Sequence, residues 1–593
     1  MSKQDKNLAS HKADDADQPA RRSFIGAAGK LAVTGALVGG GIDASQATDL
    51  HDRFPGLPGG DLDQQLRSKT YRLRLERAKA NYDVPVPRHI NNGDEDRYAN
   101  KIGSDTRGLP HNARGEVDLA AWATLKQAVT TRDPADFEKV ILGGTRKLVN
   151  PLGTLALNLT GLSSHQIAVP PAPTIASAEK AAEAVEVYWQ SLLRDVPFHE
   201  YRNDTSNALV RAAADEISKL SGYAGPRDAS GRVTPELLFR GTARYLDRAD
   251  RSGHTARSVV PPGVTVGPYI SQFALLDAPY GVSSISALLS TQLAGSSNDF
   301  LTNYDEWLAN QDGKAAKRSI TFDPVRRYLN TGRDLAEFAR GAPGFWAASQ
   351  LLSTAASGNP LRVGGIGAPL NPTNPYLKLK TSTSAAGSFA GAYVQSLLPL
   401  GSSREIRATY WQKWFVHRNP RPEAYGGLVH HRLANRVDYP VHPDVLRSQA
   451  VARSFQKHGT YLISSAYPEG APNHASYPGG ASSSAAINAT ILKAFYDENA
   501  IFPNPVQPDP SDPTKLIPYI GPPLTIGGEL NKLATNIGLG RNWAGIHWRS
   551  DAAASLPLAE ELAIGLLRDE KLTFREPFDG FKFTRFDGST VVI

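Results

Sequence analysis

The sequence predicts a mainly α fold: a large helical bundle closed by a small C-terminal β-hairpin. Three observations carry this. Apolar residues recur with helical spacing in eleven segments between residues 134 and 568. Strand-like alternation is scarce until residues 581–593, where two short runs flank Asp587-Gly588, a hairpin turn signal. The composition of the 593 residues, 41% hydrophobic and 21% charged, is that of an ordinary soluble protein. It excludes a collagen-like, wholly disordered or multi-spanning chain.

In chain order, residues 1–47 read as an export address. Arg21-Arg22-Ser23-Phe24-Ile25 leads into a short run of small apolar residues and a small-x-small site ending at Ala47, the pattern of a twin-arginine signal. The run is too short and too rich in glycine for stable membrane insertion. The expected location is periplasmic or secreted. Residues 48–115 are rich in Pro, Gly, Asp and Arg without clear periodicity and read as an extended irregular arm over the body or a neighbouring subunit. Such an arm implies a homo-oligomer, a dimer or larger. Residues 116–593 form the helical domain. Its candidate helices are 134–148, 177–195, 206–220, 235–247, 334–353, 384–397, 403–417, 443–458, 483–498, 528–536 and 546–568.

Charge and residue usage narrow the chemistry. The net charge of +7, without a long Lys/Arg run, favours small anions and not nucleic acid. The absence of Cys excludes disulfides, zinc thiolate sites and cysteine nucleophiles. His417, His430, His431 and His442 have no metal-binding spacing and read as structural or interfacial.

Three segments within 403–551 carry residues suited to one tetrahedral anion. In the first, Lys413 and Arg421 are eight residues apart, about 12 Å on an unbroken helix. Asn419-Pro420 stops the helix, so the chain can turn and aim both side chains at one point. Lys offers a point charge and Arg a planar fork, a pairing that suits an oxyanion and equally a solvated basic face. In the second, Asn473-His474-Ala475-Ser476-Tyr477-Pro478-Gly479-Gly480 runs into an apolar helix, whose start exposes backbone N–H groups and the positive dipole end. In the third, Gly538-Leu539-Gly540-Arg541 precedes Gly545-Ile546-His547-Trp548. A break near Gly545 would let Arg541 and His547 face one pocket.

These segments, in this order, resemble the vanadium-dependent haloperoxidases, especially the algal-type bromoperoxidase branch and its bacterial relatives. That family shares its helical fold and anion pocket with acid phosphatases of the phosphatidic acid phosphatase superfamily. Upstream, residues 267–273 and 299–308 are also similar to the family, so the resemblance runs from about residue 200 to the C-terminus. It implies that Lys413, Arg421 and Arg541 bind the equatorial oxygens of vanadate, with phosphate as a substitute. It further implies that Gly480 supplies a backbone donor and that His547 is the axial ligand, the metal-binding residue. Hydrogen peroxide, a halide and an organic acceptor would be the partners, with bromide or iodide the oxidised halide. The chain departs from the family at its Ser-Gly-His triplet, which reads Gly479-Gly480-Ala481 here. The missing imidazole takes away general acid-base help, typically worth ~10²–10⁴ in rate, so weakened turnover is expected. His474 is the candidate substitute for proton transfer, and Ser482 or Ser483 for the lost hydroxyl. Two alternatives stay open: vanadium-free phosphatase or isomerase chemistry in the same pocket, and a non-catalytic oxyanion-binding relative.

Overall fold

The computed structural model describes residues 61–247, 253, 255–341, 344–353, 363–379 and 382–593. The twin-arginine signal and the first part of the arm lie outside the described residues. The chain divides into two units, residues 1–72 and 73–593. Helix α1 (Asp61–Tyr82) runs across that division. The second unit contains α2 (Leu119–Thr131), α3 (Ala178–Leu192), α4 (Ala208–Ser218), α5 (Tyr304–Gln311), α6 (Gly332–Gly341) and α7 (Gly344–Ser353). It continues with α8 (Gly391–Gln412), α9 (Pro422–Ala434), α10 (Gln449–His458), α11 (Gly480–Phe495), α12 (Ile526–Trp543) and α13 (Arg549–Lys571).

Helix α11 is the centre of the bundle, packed against α8, α12 and α13. Its Ala485, Ala486, Ala489, Ile487, Ile491 and Leu492 are all buried in one large apolar core. Small residues bring the helices close. A Cβ at Gly401 of α8 would lie 2.9 Å from Ile491 Cδ1, so any larger residue here would make the isoleucine of α11 shift. A second, smaller core joins α2 to Trp414.

Four antiparallel two-stranded hairpins decorate the helices. They are β1 (Ala243–Leu246) with β2 (Ala256–Val259), β3 (Ala278–Tyr280) with β4 (Ser283–Ile285), β5 (Val506–Pro508) with β6 (Leu516–Pro518), and β7 (Lys582–Thr584) with β8 (Thr590–Val592). The last is the expected C-terminal hairpin, in the register Lys582 to Val592. Among the described residues no helix is long and apolar enough to cross a membrane.

The structure corrects several sequence expectations. The arm is not irregular throughout: α1 is helical because its Leu, Arg, Lys, Gln and Glu residues favour helix intrinsically, although they form no apolar stripe. Farther along, residues 94–107 sink into the body, with Asp94, Glu95, Asp105 and Arg107 all buried. Residues 235–247 are not a helix. Phe239 takes φ 59°, and Arg240 donates to the carbonyls of Val264, Gly267 and Pro268, which pins a loop leading into β1. The helix expected over 134–148 stops at Phe137. Gly143 and Gly144 pass so close to the backbone of Leu109 and Gly313 that a Cβ would sit 2.7 and 2.4 Å away. The segments 384–397 and 403–417 join into α8, which runs through Pro399.

Candidate active site

Helix α8 loosens at its end into a π-helical turn, Lys413–His417, and Arg418 then takes the left-handed conformation (φ 37°, ψ 42°). Such turns widen the helix and redirect side chains. Arg418 is held there by Glu95, whose carboxylate accepts from its Nε and Nη2, and by the Trp414 carbonyl. Burial raises the Glu95 pKa, but the Arg418 and Lys126 partners outweigh it and lower the value to about 2. Pro422 opens α9 directly after Arg421. The expected turn between Lys413 and Arg421 is therefore present, and both side chains point inward, with relative exposures of 0% and 1%.

The second segment arrives as a loop. Lys413 Nζ donates to the carbonyls of Ala475 and Ser476 at 2.8 and 2.6 Å. Arg421 donates to the His474 carbonyl from Nε and Nη2, at 3.1 and 3.0 Å. Gly479 caps α11 without a side-chain bond. Its N–H donates to the Asp551 carbonyl at 2.9 Å, and its own carbonyl accepts from Ser555. A Cβ placed on Gly480 would lie in ordinary van der Waals contact with Tyr410 Cε2, at 3.6 Å.

The third segment breaks as expected: α12 stops at Trp543, Gly545 has φ 79°, and His547 stands just before α13. Its Nε2 lies 2.8 Å from Arg421 Nη1, and its Nδ1 lies 2.8 Å from Asp551 Oδ2. The carboxylate fixes the tautomer, with the proton on Nδ1 and a lone pair on Nε2. Burial, followed by the Arg421 and Lys413 charges, drives the His547 pKa well below the ordinary imidazole value, so the ring is neutral. Arg541 reaches the Tyr467 hydroxyl at 3.4 Å, while its buried Nε has no hydrogen-bond partner.

Lys413, Arg421, Gly480, Arg541, His547 and His474 are thus brought together. Ser483 is not: its hydroxyl turns to Thr409 at 2.8 Å, to Glu405 and to the Gly479 carbonyl. Ser482 Oγ faces α12, 2.6 Å from where a Gly538 Cβ would be. The other histidines are structural: His417 packs edge-on against Tyr477, His431 meets the Tyr304 hydroxyl, His430 accepts from Tyr461 N–H and His442 caps its own short helix.

Sequence reasoning missed three residues here. Asp551 was legible, since four residues from His547 is one helical turn. Asp105, buried and facing the charges of Arg421, Arg107 and Lys413, comes from some 300 residues upstream and gives no local signal. Tyr410 lies one turn before Lys413, with its hydroxyl 3.3 Å from His474 Nε2.

One electrostatic fact defines the pocket. No carboxylate lies within 4.0 Å of Lys413, Arg421 or Arg541 among the described residues, although all three converge. Asp105 and Asp551 act on Lys413 and Arg421 only through space, and a buried cation with no carboxylate in contact is costly. Desolvation and the neighbouring Arg421 push the Lys413 pKa well below its ordinary value. A small oxyanion would complete these donors beside His547 Nε2, which lies 2.8 Å from Arg421 Nη1.

A helical bundle that gathers three cations around one anchored imidazole is an arrangement suited to an oxyanion. No family model matches the chain. A vanadium-dependent bromoperoxidase of Ascophyllum nodosum is 31% identical over 528 residues, covering 85% of this chain and 87% of that protein. Vanadium-dependent bromoperoxidases of Corallina pilulifera and Corallina officinalis are each 27% identical over 625 residues. Among solved structures, the homohexameric second vanadate-dependent bromoperoxidase of Ascophyllum nodosum superposes with a TM-score of 0.78 at 26% identity, over 92% of this chain and 95% of that one. The chain belongs to the vanadium-dependent haloperoxidases, a family of peroxidase-type oxidoreductases.

Proposed function

We propose that this protein is an exported haloperoxidase that uses hydrogen peroxide to oxidise bromide or iodide, with vanadate held at His547 Nε2 and its oxygens against Lys413, Arg421, Arg541 and the Gly480 N–H. The observation that carries the reading is the convergence of three cations lacking carboxylate partners on an imidazole whose other nitrogen is anchored by Asp551. Bound there, vanadate supplies a Lewis acid that activates hydrogen peroxide towards halide. The chain's part is charge stabilisation. Lys413 and the two arginines neutralise negative charge on the oxygens, with Lys413 and Arg421 fixed beforehand by backbone carbonyls and Arg541 by the Tyr467 hydroxyl. Asp551 keeps the His547 lone pair directed at the site. His474 accepts and returns protons in place of the imidazole absent at Ala481, and turnover is lower than with the Ser-Gly-His triplet. Phosphate occupies the same donors when vanadate is withheld. The homohexameric relative supports assembly of this chain as a homo-oligomer.

The test is bromination of a phenolic dye by peroxide and bromide, with and without orthovanadate. Vanadate-dependent bromination is expected. Its absence, with release of nitrophenol from nitrophenyl phosphate that vanadate inhibits, would transfer the pocket to phosphatase chemistry. Absence of both activities, with measurable oxyanion binding, would leave a binding protein. Light scattering should give at least twice the monomer mass.

A further inference from the structure

The end of α8 and the π-helical turn after it line a cleft of about 480 Å³ on their outer side. Clefts of roughly 300–1,000 Å³ hold small organic molecules. The walls of this one are aromatic. Trp411 and Phe415 stand four residues apart, with ring centroids separated by 6.3 Å. His89 packs against Trp411 at 4.5 Å, tilted by 59°, and its Nε2 donates to the His165 carbonyl at 2.9 Å. Burial lowers the His89 pKa, so this third wall is a neutral ring at pH 7. Lys413 lies halfway between Trp411 and Phe415 in sequence and turns the other way, to the carbonyls of Ala475 and Ser476. The cleft and the oxyanion site therefore occupy opposite sides of one turn.

Two arginines face the cleft. Arg418 is already neutralised by Glu95, the carboxylate that also serves Lys126 at 2.6 Å. Arg132 is not. Its guanidinium carbon lies 4.9 Å from the centre of the Phe415 ring, and among the described residues no carboxylate pairs with it and no hydrogen bond holds its side chain. The Arg132 backbone ends α2 in the left-handed conformation (φ 60°, ψ 17°), with its N–H donating to the Ala128 carbonyl, a position that glycine most often fills. The cap thus needs no side chain, and the one present is an exposed cation laid against an aromatic wall. That contact leaves the guanidinium N–H groups unused, a planar fork that matches a carboxylate.

We propose that this cleft binds a planar aromatic carboxylate, its ring against Trp411 and Phe415 and its carboxylate on Arg132. The ring replaces water against the aromatic walls, and the carboxylate supplies the partner that Arg132 lacks. Binding here is separate from the oxyanion pocket and independent of the haloperoxidase reading above.

The test is calorimetry of the full chain with 2-naphthoate, in the presence of saturating inorganic phosphate. Phosphate competes for Lys413, Arg421 and Arg541, so a carboxylate that binds only at those cations is displaced. Saturable binding is expected. 2-Naphthamide, which lacks the charge, and cyclohexanecarboxylate, which lacks the flat ring, should each bind more weakly by about fivefold or more. Arg132→Gly suits the left-handed backbone and removes the guanidinium. It should weaken 2-naphthoate by a similar factor and leave the phosphate affinity unchanged. Phe415→Leu keeps an apolar side chain but removes the ring, and should also weaken 2-naphthoate; if that variant fails to fold, Arg132→Gly decides alone. No saturable binding, an unchanged Kd in either folded variant, equal affinity for the amide or the cyclohexane acid, or binding that phosphate abolishes would each overturn the assignment.

Discussion

A Cβ built on Gly479 meets Ser482 Oγ at 3.1 Å and the Asp551 carbonyl at 3.3 Å, contacts that a shift of a few tenths of an ångström relieves. Its φ of −81° is ordinary for an L-residue. Serine therefore fits at 479, and half-buried Ala481 on the first turn of α11 can be enlarged towards the rim. The paired change Gly479→Ser and Ala481→His should raise bromide oxidation by about 10²-fold or more, because a positioned imidazole titrates near neutral pH and a methyl group cannot carry a proton. Steady-state kinetics of each single variant should show the serine acting mainly on vanadate affinity and the histidine mainly on kcat. Equal kcat in the double variant and wild type would mean that His474 already meets the demand for protons. Lys413, Arg421, Arg541 and His547 were legible in the sequence because side-chain charge and chain breaks are local properties. What surrounds them was not: the backbone carbonyls holding Lys413 and the phenol behind His474 are set by packing between distant segments.

At the scale of elements, the interface of α8 with α11 carries a buried acid. Glu405, fully buried, accepts from Thr409 at 2.8 Å and from Ser483, while its Oε2 has no partner. Desolvation raises its pKa from 4.5 to about 7 against those hydrogen bonds and Lys413. The folded chain thus keeps a proton that the unfolded chain releases near pH 4.5. It binds more protons than the unfolded chain between about pH 4.5 and 7, and stability falls as pH rises through that window. Glu405→Gln removes this slope. Relative to wild type, it should gain on the order of 3 kcal/mol between pH 4 and pH 8, read from urea unfolding at both pH values. Glu95 has the opposite sign. Its depressed pKa contributes stability above pH 4.5 that is lost as pH falls towards about 2. Glu95→Ala leaves Arg418 buried without its partner and should cost about 3–5 kcal/mol at pH 7, checked by the same titration. The helices themselves were legible where an apolar stripe marks them, as in α3 and α11. α1 lacks that stripe, and α8 crosses a proline that reads as a break.

For the whole molecule, three cations and two carboxylates, Asp105 and Asp551, at one site leave an excess of positive charge that predicts linkage between anion binding and folding. Orthovanadate at 100 times its Kd should stabilise the chain by about 2.7 kcal/mol, seen as a concentration-dependent rise in Tm. Arg541→Ala should need at least tenfold more vanadate for the same rise, since it removes the cation whose buried Nε has no partner within the protein. An identical titration in that variant would remove Arg541 from the anion site. The overall bundle was readable from periodicity because it depends on many residues at once. The four hairpins were not all readable, since strands of three or four residues leave little alternation to detect.

The Arg421 fork has one more consequence. It ties the start of α9 to a loop 53 residues later and to a helix start 126 residues later, with Asp105 of the arm alongside. These segments are tied to one another through Arg421, so opening the site by unfolding takes much of the bundle with it. Loss of the bound anion by that route is governed by the rate of global unfolding, and so is irreversible thermal inactivation. A bound oxyanion that lowers the native state without forming in the transition state lengthens the enzyme's lifetime without speeding its folding. The proposed anion site would then also act as a brake on the molecule's decay.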